Sequence, residues 1–229
     1  MTNNANGLVA GDVTSGYRLE TVFPFPEIEA RVQVFHHIQT GARHLHVETS
    51  DQENCFAVAF KTIPRDATGV AHILEHTILC GSEKYPVRDP FFSMIKRSLS
   101  SFMNALTASD WTMYPFATPN TRDFYNLLDV YLDAVFFPIL SELSFKQEGH
   151  RLGIVPLEAD GEDDFQLVYQ GVVYNEMKGA MSAPEQVMHR SLLRELYPDT
   201  TYSYNSGGDP AEIPTLTHAQ LKAFHRRHY

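Results

Sequence analysis

The chain has 229 residues, 43% of them hydrophobic, and a formal net charge of −10, which is enough apolar content for a packed core and the wrong sign for nucleic-acid phosphates or anionic lipid. No apolar run approaches the ~18 residues of a membrane span, the opening Met1–Gly11 lacks the basic-then-apolar build of a secretory signal, and Cys55 and Cys80, its only cysteines, cannot make a disulfide framework. The expectation is a cytoplasmic protein with no membrane and no nucleic-acid partner.

Residues 1–15 are polar and expected to be flexible. Gly16–Phe23, Arg31–Ile38, Ala42–Glu48 and Cys55–Thr62 read as strands, with Thr40-Gly41 turning the second into the third. Cys55-Phe56-Ala57-Val58-Ala59-Phe60 is apolar at every position, so it is expected at the sheet centre, covered on both faces. A helix running to Cys80 follows; Thr68 or Asp66 can cap its start and Gly81 offers a left-handed stop. Asp89-Pro90 opens a short helix through about Arg97, and Ser101–Ala108 and Thr112–Phe116 read as two strands joined through Ser109-Asp110-Trp111. The longest helix spans about Thr121–Phe137. Its Phe124, Leu127, Leu128, Tyr131, Leu132 and Val135 recur at i, i+3 and i+4, and Pro138 stops it.

After an acidic loop at Glu158–Asp164 come helical stretches over about Gly171–Met181 and Pro184–Leu196. The loop Ser206-Gly207-Gly208-Asp209-Pro210 has the glycines of a turn without the spacing of a phosphate-binding fingerprint. The last helix, Leu216–Tyr229, breaks off at His225-Arg226-Arg227-His228-Tyr229 without capping residues, as in the front piece of a longer protein. Strands followed by helices over one sheet give an α+β layer fold, mostly antiparallel sheet covered by helices.

The most informative passage is His72-Ile73-Leu74-Glu75-His76. Each helical residue turns by about 100°, so relative to His72 the side chain of His76 lies at about 40° and Glu75 at about −60°. Two imidazoles and a carboxylate therefore share one arc, while Val70, Ile73, Leu74 and Ile78 lie on the opposite face and aim that arc away from the core. His-x-x-Glu-His is the inverted form of a zinc-hydrolase signature, with two ligands and a general base. A catalytic zinc usually takes three protein ligands, and spacing alone leaves the third open among Cys80, Glu83, Glu148, His150 and Glu176. Glu176 stands out on a helix that is otherwise apolar around it: Val172, Val173, Met177, Ala180 and Met181. His44 with His46, and His225 with His228, are two further close pairs, but neither has a flanking base.

The run Gly69–Pro90, GVAHILEHTILCGSEKYPVRDP, together with SSFMNALTASDWTMYPFA, VYLDAVFFP, GVVYNEMKGA and SGGDPAEIP, resembles the N-terminal domain of the pitrilysin and insulysin family, in its presequence protease and falcilysin branch. The resemblance covers about Gly16 to Tyr229. It implies the metallohydrolase fold of the mitochondrial processing peptidases, with 16–229 as the catalytic zinc-binding domain. Zinc would be held by His72, His76 and Glu176, with Glu75 as general base. It also places Asn104 and Ala105 on an edge strand that receives an extended peptide, a mode that reads backbone rather than side chains. Two positions depart from the family: His150 sits where a large aromatic is usual, and Tyr169 occupies a place that is acidic in other branches, two turns before the third ligand.

The implied function is zinc-dependent endoproteolysis of short unfolded peptides, with the remaining domains of a longer protein as partners. Nothing in this chain matches the distant half that contributes oxyanion-binding groups in the family, so the piece alone is expected to be poorly active. Two alternatives come from other classes. An S-ribosylhomocysteine-type lyase also uses His-x-x-Glu-His but needs a cysteine ligand well downstream, and none follows Cys80. A non-catalytic partner or scaffold domain retaining zinc would usually have lost the base or a ligand, whereas Glu75, both histidines and Glu176 are all present.

Overall fold

The computed structural model describes residues 7–87, 90–156 and 165–229, except for the side chain of Phe92. The chain divides into two compact units, one through Gln52 and one from Glu53 to Tyr229. Residues 1–6 and the acidic loop Glu158–Asp164 lie outside the described residues, as does Asp89, the expected start of the short helix.

The first unit is a four-stranded antiparallel sheet in the order β1 (Val13–Thr14), β2 (Tyr17–Phe25), β3 (Ala30–His37), β4 (Arg43–Glu48). β2, β3 and β4 follow the expected spans closely, whereas β1 falls within residues 1–15, expected to be flexible, and pairs with β2 through Val13 and Thr14. Gly41, at φ 76, makes the turn between β3 and β4, and its amide donates to the His37 carbonyl at 2.9 Å. A register shift between Leu19 and Thr21 interrupts the β2–β3 ladder.

The second unit holds β5 (Asn54–Phe60), β6 (Phe102–Met103), β7 (Leu106–Thr107) and β8 (Thr112–Thr118) in one antiparallel sheet, with β8 between β5 and the β6/β7 edge. A separate antiparallel hairpin pairs β9 (Arg151–Pro156) with β10 (Phe165–Gln170). Two expectations fail here. Among the described residues β5 pairs with β8 alone, and it alternates instead of being covered on both sides: Phe56, Val58 and Phe60 pack on the core while Cys55, Ala57 and Ala59 are exposed. Small apolar residues on its outward face made an edge strand look central. The expected strand Ser101–Ala108 is also broken, at Asn104-Ala105. There the Asn104 side chain accepts from the next residue's amide at 2.9 Å, a local bond that takes the place of a ladder bond.

Among the described residues the second unit has seven α-helices: α1 (Val70–Ile78), α2 (Pro90–Ile95), α3 (Thr121–Phe136), α4 (Glu142–Glu148), α5 (Val172–Ala180), α6 (Pro184–Leu196) and α7 (His218–His228). α2 ends before the expected Arg97, and neither α4 nor the β9–β10 hairpin was anticipated from the sequence. α3 is capped by Asn120, whose side chain accepts from the Asp123 amide at 3.0 Å, and buries Leu127, Tyr131, Ala134 and Val135. The core is one cluster that brings Tyr114 and Phe116 of β8 against Ile73, Leu74 and Ile78 of α1, with Leu127 and Val135 of α3, Phe145 of α4, Val173 of α5 and Leu221 of α7.

α1 is the element that matters. Nine residues are too few for an isolated helix to persist in water, so tertiary burial must hold it. Ile73, Leu74 and Ile78 are fully buried, and each such side chain contributes roughly 1.5–3 kcal/mol relative to exposure. The cap differs from expectation. Asp66 accepts from the Thr68 amide and hydroxyl, closing the turn before the helix, and the N-cap itself is Gly69 in the left-handed region at φ 70. A Cβ on Gly69 would lie 2.8 Å from the Gly207 carbonyl oxygen and from Gly208 Cα. Glycine is therefore required twice over, for conformation and for the close approach of the 206–210 loop.

Candidate metal centre

Burying one face of α1 leaves His72, Glu75 and His76 on a cavity of about 600 Å³ whose lining also includes Asn104, Ala105, Glu148 and Glu176. α5 brings in Glu176 from a hundred residues downstream. Of α5, Val173 is buried and Tyr174 and Met177 are partly buried against the core, while Val172 is 45% exposed, so the apolar residues around Glu176 cover the core from one side of the helix only. Its carboxylate instead projects from an open helix face toward the two imidazoles.

Glu176 Oε2 lies 3.6 Å from His72 Nε2 and 3.8 Å from His76 Nε2, beyond normal hydrogen-bond distance. Two donors each about 2.1 Å from one tetrahedral zinc would be about 3.4 Å apart, so these separations match ligands sharing an ion better than a direct ion pair. One ligand atom from each of His72, His76 and Glu176 lies within 4.8 Å of the others, the one such group among the described residues.

Each imidazole is held from behind. His72 Nδ1 donates to the Gly207 carbonyl at 3.0 Å, and His76 Nδ1 donates to Glu148 Oε2 at 3.3 Å. Protonation at Nδ1 leaves both Nε2 lone pairs facing the cavity, the arrangement that outer partners of metal-bound histidines enforce. Glu148 is buried and also accepts from Gln147 Nε2 at 2.9 Å. Burial favours its protonated form, but the hydrogen bonds from His76 and Gln147 and the His76 charge outweigh this and hold its carboxyl below the usual range. For His76, burial pushes the imidazole down, yet the Glu148 hydrogen bond and the charges of Glu75, Glu148 and Glu176 win and raise it. Three carboxylates around two imidazoles make a site that attracts positive charge, whether a proton or a divalent cation. The residues present thus fit a zinc ion in donor type, separation and charge.

Glu75 is 8% exposed and accepts from the Thr107 hydroxyl at 2.6 Å. Asn104 and Ala105 sit between β6 and β7 on the side of the sheet that carries no further strand among the described residues. The Asn104 amide is turned inward, donating to the Pro115 carbonyl at 3.1 Å.

The other candidates fall elsewhere. Cys80 lines the cavity, but its thiol donates to the His76 carbonyl at 3.5 Å and contacts Glu148. His150 Nε2 bonds to the Leu216 carbonyl at 2.8 Å, and Glu83 is exposed outside the cavity lining. His225 and His228 each bond a backbone carbonyl, of Val135 and Lys61 respectively, and His44 and His46 stack on β4 with no carboxylate grouped to them. Three contributors were invisible in the sequence: the Gly207 carbonyl, the Thr107 hydroxyl, and Glu148 as the partner of His76 rather than a ligand. Tyr169, at the position that is acidic in other branches, stands on β10, and the carboxylate behind His76 is that of Glu148 on α4. Of the segments that carry these three contributors, only the Gly-Gly pair is marked in the sequence, as a turn.

Residues 64–154 match the family model for insulinase (peptidase family M16). Over 219 residues, 96% of this chain, it is 54% identical to a mitochondrial presequence protease of Xenopus tropicalis, and over 221 residues it is 54% identical to that of Mus musculus. The Yarrowia lipolytica protein of the same name is 49% identical over all 229 residues. The chain spans 21–22% of the length of these relatives. Crystalline pitrilysin has the same fold, with a TM-score of 0.68 over 94% of this chain and 22% of that one at 20% identity. The cytoplasmic expectation is overturned, because the relatives are named as mitochondrial proteins. Lack of a secretory signal or membrane span tests only those two addresses and does not distinguish cytosol from mitochondrion. The helical arc, the glutamate on α5 and the matched sequences converge: the chain belongs with the insulinase family, peptidase family M16.

Proposed function

We propose that this chain is the metal-bearing part of a zinc-dependent endopeptidase that hydrolyses short unfolded peptides, acting with further domains of a longer protein. The observation that carries the reading is the convergence of His72 Nε2, His76 Nε2 and a Glu176 oxygen within 4.8 Å, with the buried carboxylate of Glu75 one helical step away. In this reading His72, His76 and Glu176 hold the ion. When bound, zinc polarises the scissile carbonyl and makes water a competent nucleophile near neutral pH. Glu75 accepts the proton of the attacking water and returns it to the departing amine. Asn104 and Ala105 offer an open sheet edge on which a peptide can lie as an added strand, its backbone running past the metal site. The relatives are named presequence proteases, and a presequence is the substrate this reading carries to the chain.

Glu75→Gln in the complete protein tests it. The amide keeps the shape but cannot take a proton, so zinc content should stay at that of the unaltered protein while hydrolysis of a fluorogenic peptide is lost. Undiminished turnover by Glu75→Gln would remove Glu75 from the chemistry.

A further inference from the structure

The general base is held by the strand that offers itself to substrate. Thr107 lies on β7, two residues beyond Ala105, and its hydroxyl donates to Glu75 Oε2 at 2.6 Å. That length belongs to a charge-assisted O–H···O⁻ bond. A hydroxyl has one proton to give, and here it goes to Glu75. The anchor is firm. Thr107 pairs with Thr112 across the β7–β8 ladder, Thr112 is fully buried, and its hydroxyl is 2.7 Å from that of Thr62. β-branching at Thr107 further restricts its rotamer. We propose that Thr107 is a positioning residue: it pins one oxygen of Glu75, leaves the other to face the water, and ties the base to the edge that carries the peptide, so base and substrate keep one register. This rests on the peptidase reading above, and adds a residue through which that site's geometry is set.

Effective proximity depends on placement to within about an ångström, and losing it can cost about 10²-fold in rate. Thr107→Val removes the hydroxyl while keeping a β-branched shape suited to a strand, and Thr107→Ser restores the hydroxyl without the methyl. In the complete protein, with a fluorogenic peptide, Thr107→Val should lower kcat about 10- to 100-fold while KM and zinc content stay within about twofold, the pattern of an interaction felt in the transition state. Thr107→Ser should recover kcat to within about threefold of the unaltered protein, because the charge-assisted donor is back. The proposal is overturned if Thr107→Val keeps full kcat, if its defect lies in KM or in lost zinc, or if Thr107→Ser is as impaired as Thr107→Val, which would make the methyl packing the cause. Glu75→Gln in the same assay separates the two levels. No hydrolysis by the unaltered protein would sink the peptidase reading, undiminished turnover by Glu75→Gln would remove Glu75 from the chemistry, and an inactive Glu75→Gln beside a fully active Thr107→Val would sink only the role of Thr107.

Discussion

Replacing Gly69 by alanine should damage the metal site from outside the cavity. Gly69 caps α1 at φ 70 and ψ 24, a left-handed conformation that costs an L-residue about 1–2 kcal/mol. The new Cβ would also meet the Gly207 carbonyl oxygen and Gly208 Cα at 2.8 Å and the Gly208 nitrogen at 3.1 Å. All three are backbone atoms, so none can swing aside as a side chain would. Forcing the loop back adds a repacking cost of about 1–2 kcal/mol, at the lower end of overpacked sites, for a total destabilisation of about 2–4 kcal/mol. The loop that must retreat supplies the acceptor for His72 Nδ1, and removing such an outer partner commonly weakens metal binding about 10- to 100-fold. Urea unfolding of the metal-free chain reads the first effect, and competition with a chromophoric chelator reads the second. Gly179→Ala is the control: its Cβ would meet nothing within 4 Å inside α5, and alanine is favoured there by up to about 1 kcal/mol. A Gly69→Ala chain with an unchanged urea midpoint and unchanged zinc affinity would refute the account of both the cap and the loop.

Three further outcomes are expected. His72→Ala, His76→Ala and Glu176→Gln should each weaken zinc binding by more than the ~10–100-fold of an outer partner, while Cys80→Ser leaves it nearly intact; loss of metal from the Cys80 variant alone would overturn the ligand set. Glu148→Ala should lower zinc affinity about 10- to 100-fold by freeing His76 Nδ1, and Glu148→Gln, which still offers an oxygen acceptor, should lose less; equal affinities for both variants and the parent, by the same chelator competition, would place Glu148 outside the site. Residues 1–229 alone should bind about one zinc yet cleave peptides at least ~10²-fold more slowly than the complete protein, the usual cost of one missing oxyanion donor; equal kcat/KM at equal zinc occupancy would show that no further domain is needed.

Much of this was legible in the sequence because it is local. The arc of His72, Glu75 and His76 follows from a rotation of about 100° per residue, and the stripe Leu127, Tyr131 and Val135 marks α3 by the same periodicity. β2, β3, β4 and α6 are bounded in the sequence almost as observed, since turn residues and caps act within a few positions. Errors came where burial or pairing had to be guessed: β5 looked central from its composition but lies at an edge, and Ser101–Ala108 is interrupted by a single side-chain-to-backbone bond at Asn104.

Consecutive residues specify the kind of site: a helix with two imidazoles and a carboxylate on one side and an apolar stripe on the other, which burial of the stripe turns toward a cleft. Closure of the core is what completes that site. It brings Glu176 of α5 to the paired Nε2 atoms, puts Glu148 behind His76 at its Nδ1, turns a Gly-Gly loop into the support of His72, and hangs Glu75 from Thr107. The reason is that helical periodicity is written into consecutive residues, whereas an acceptor 135 residues away in the chain leaves no periodic mark and becomes a neighbour only when the core closes.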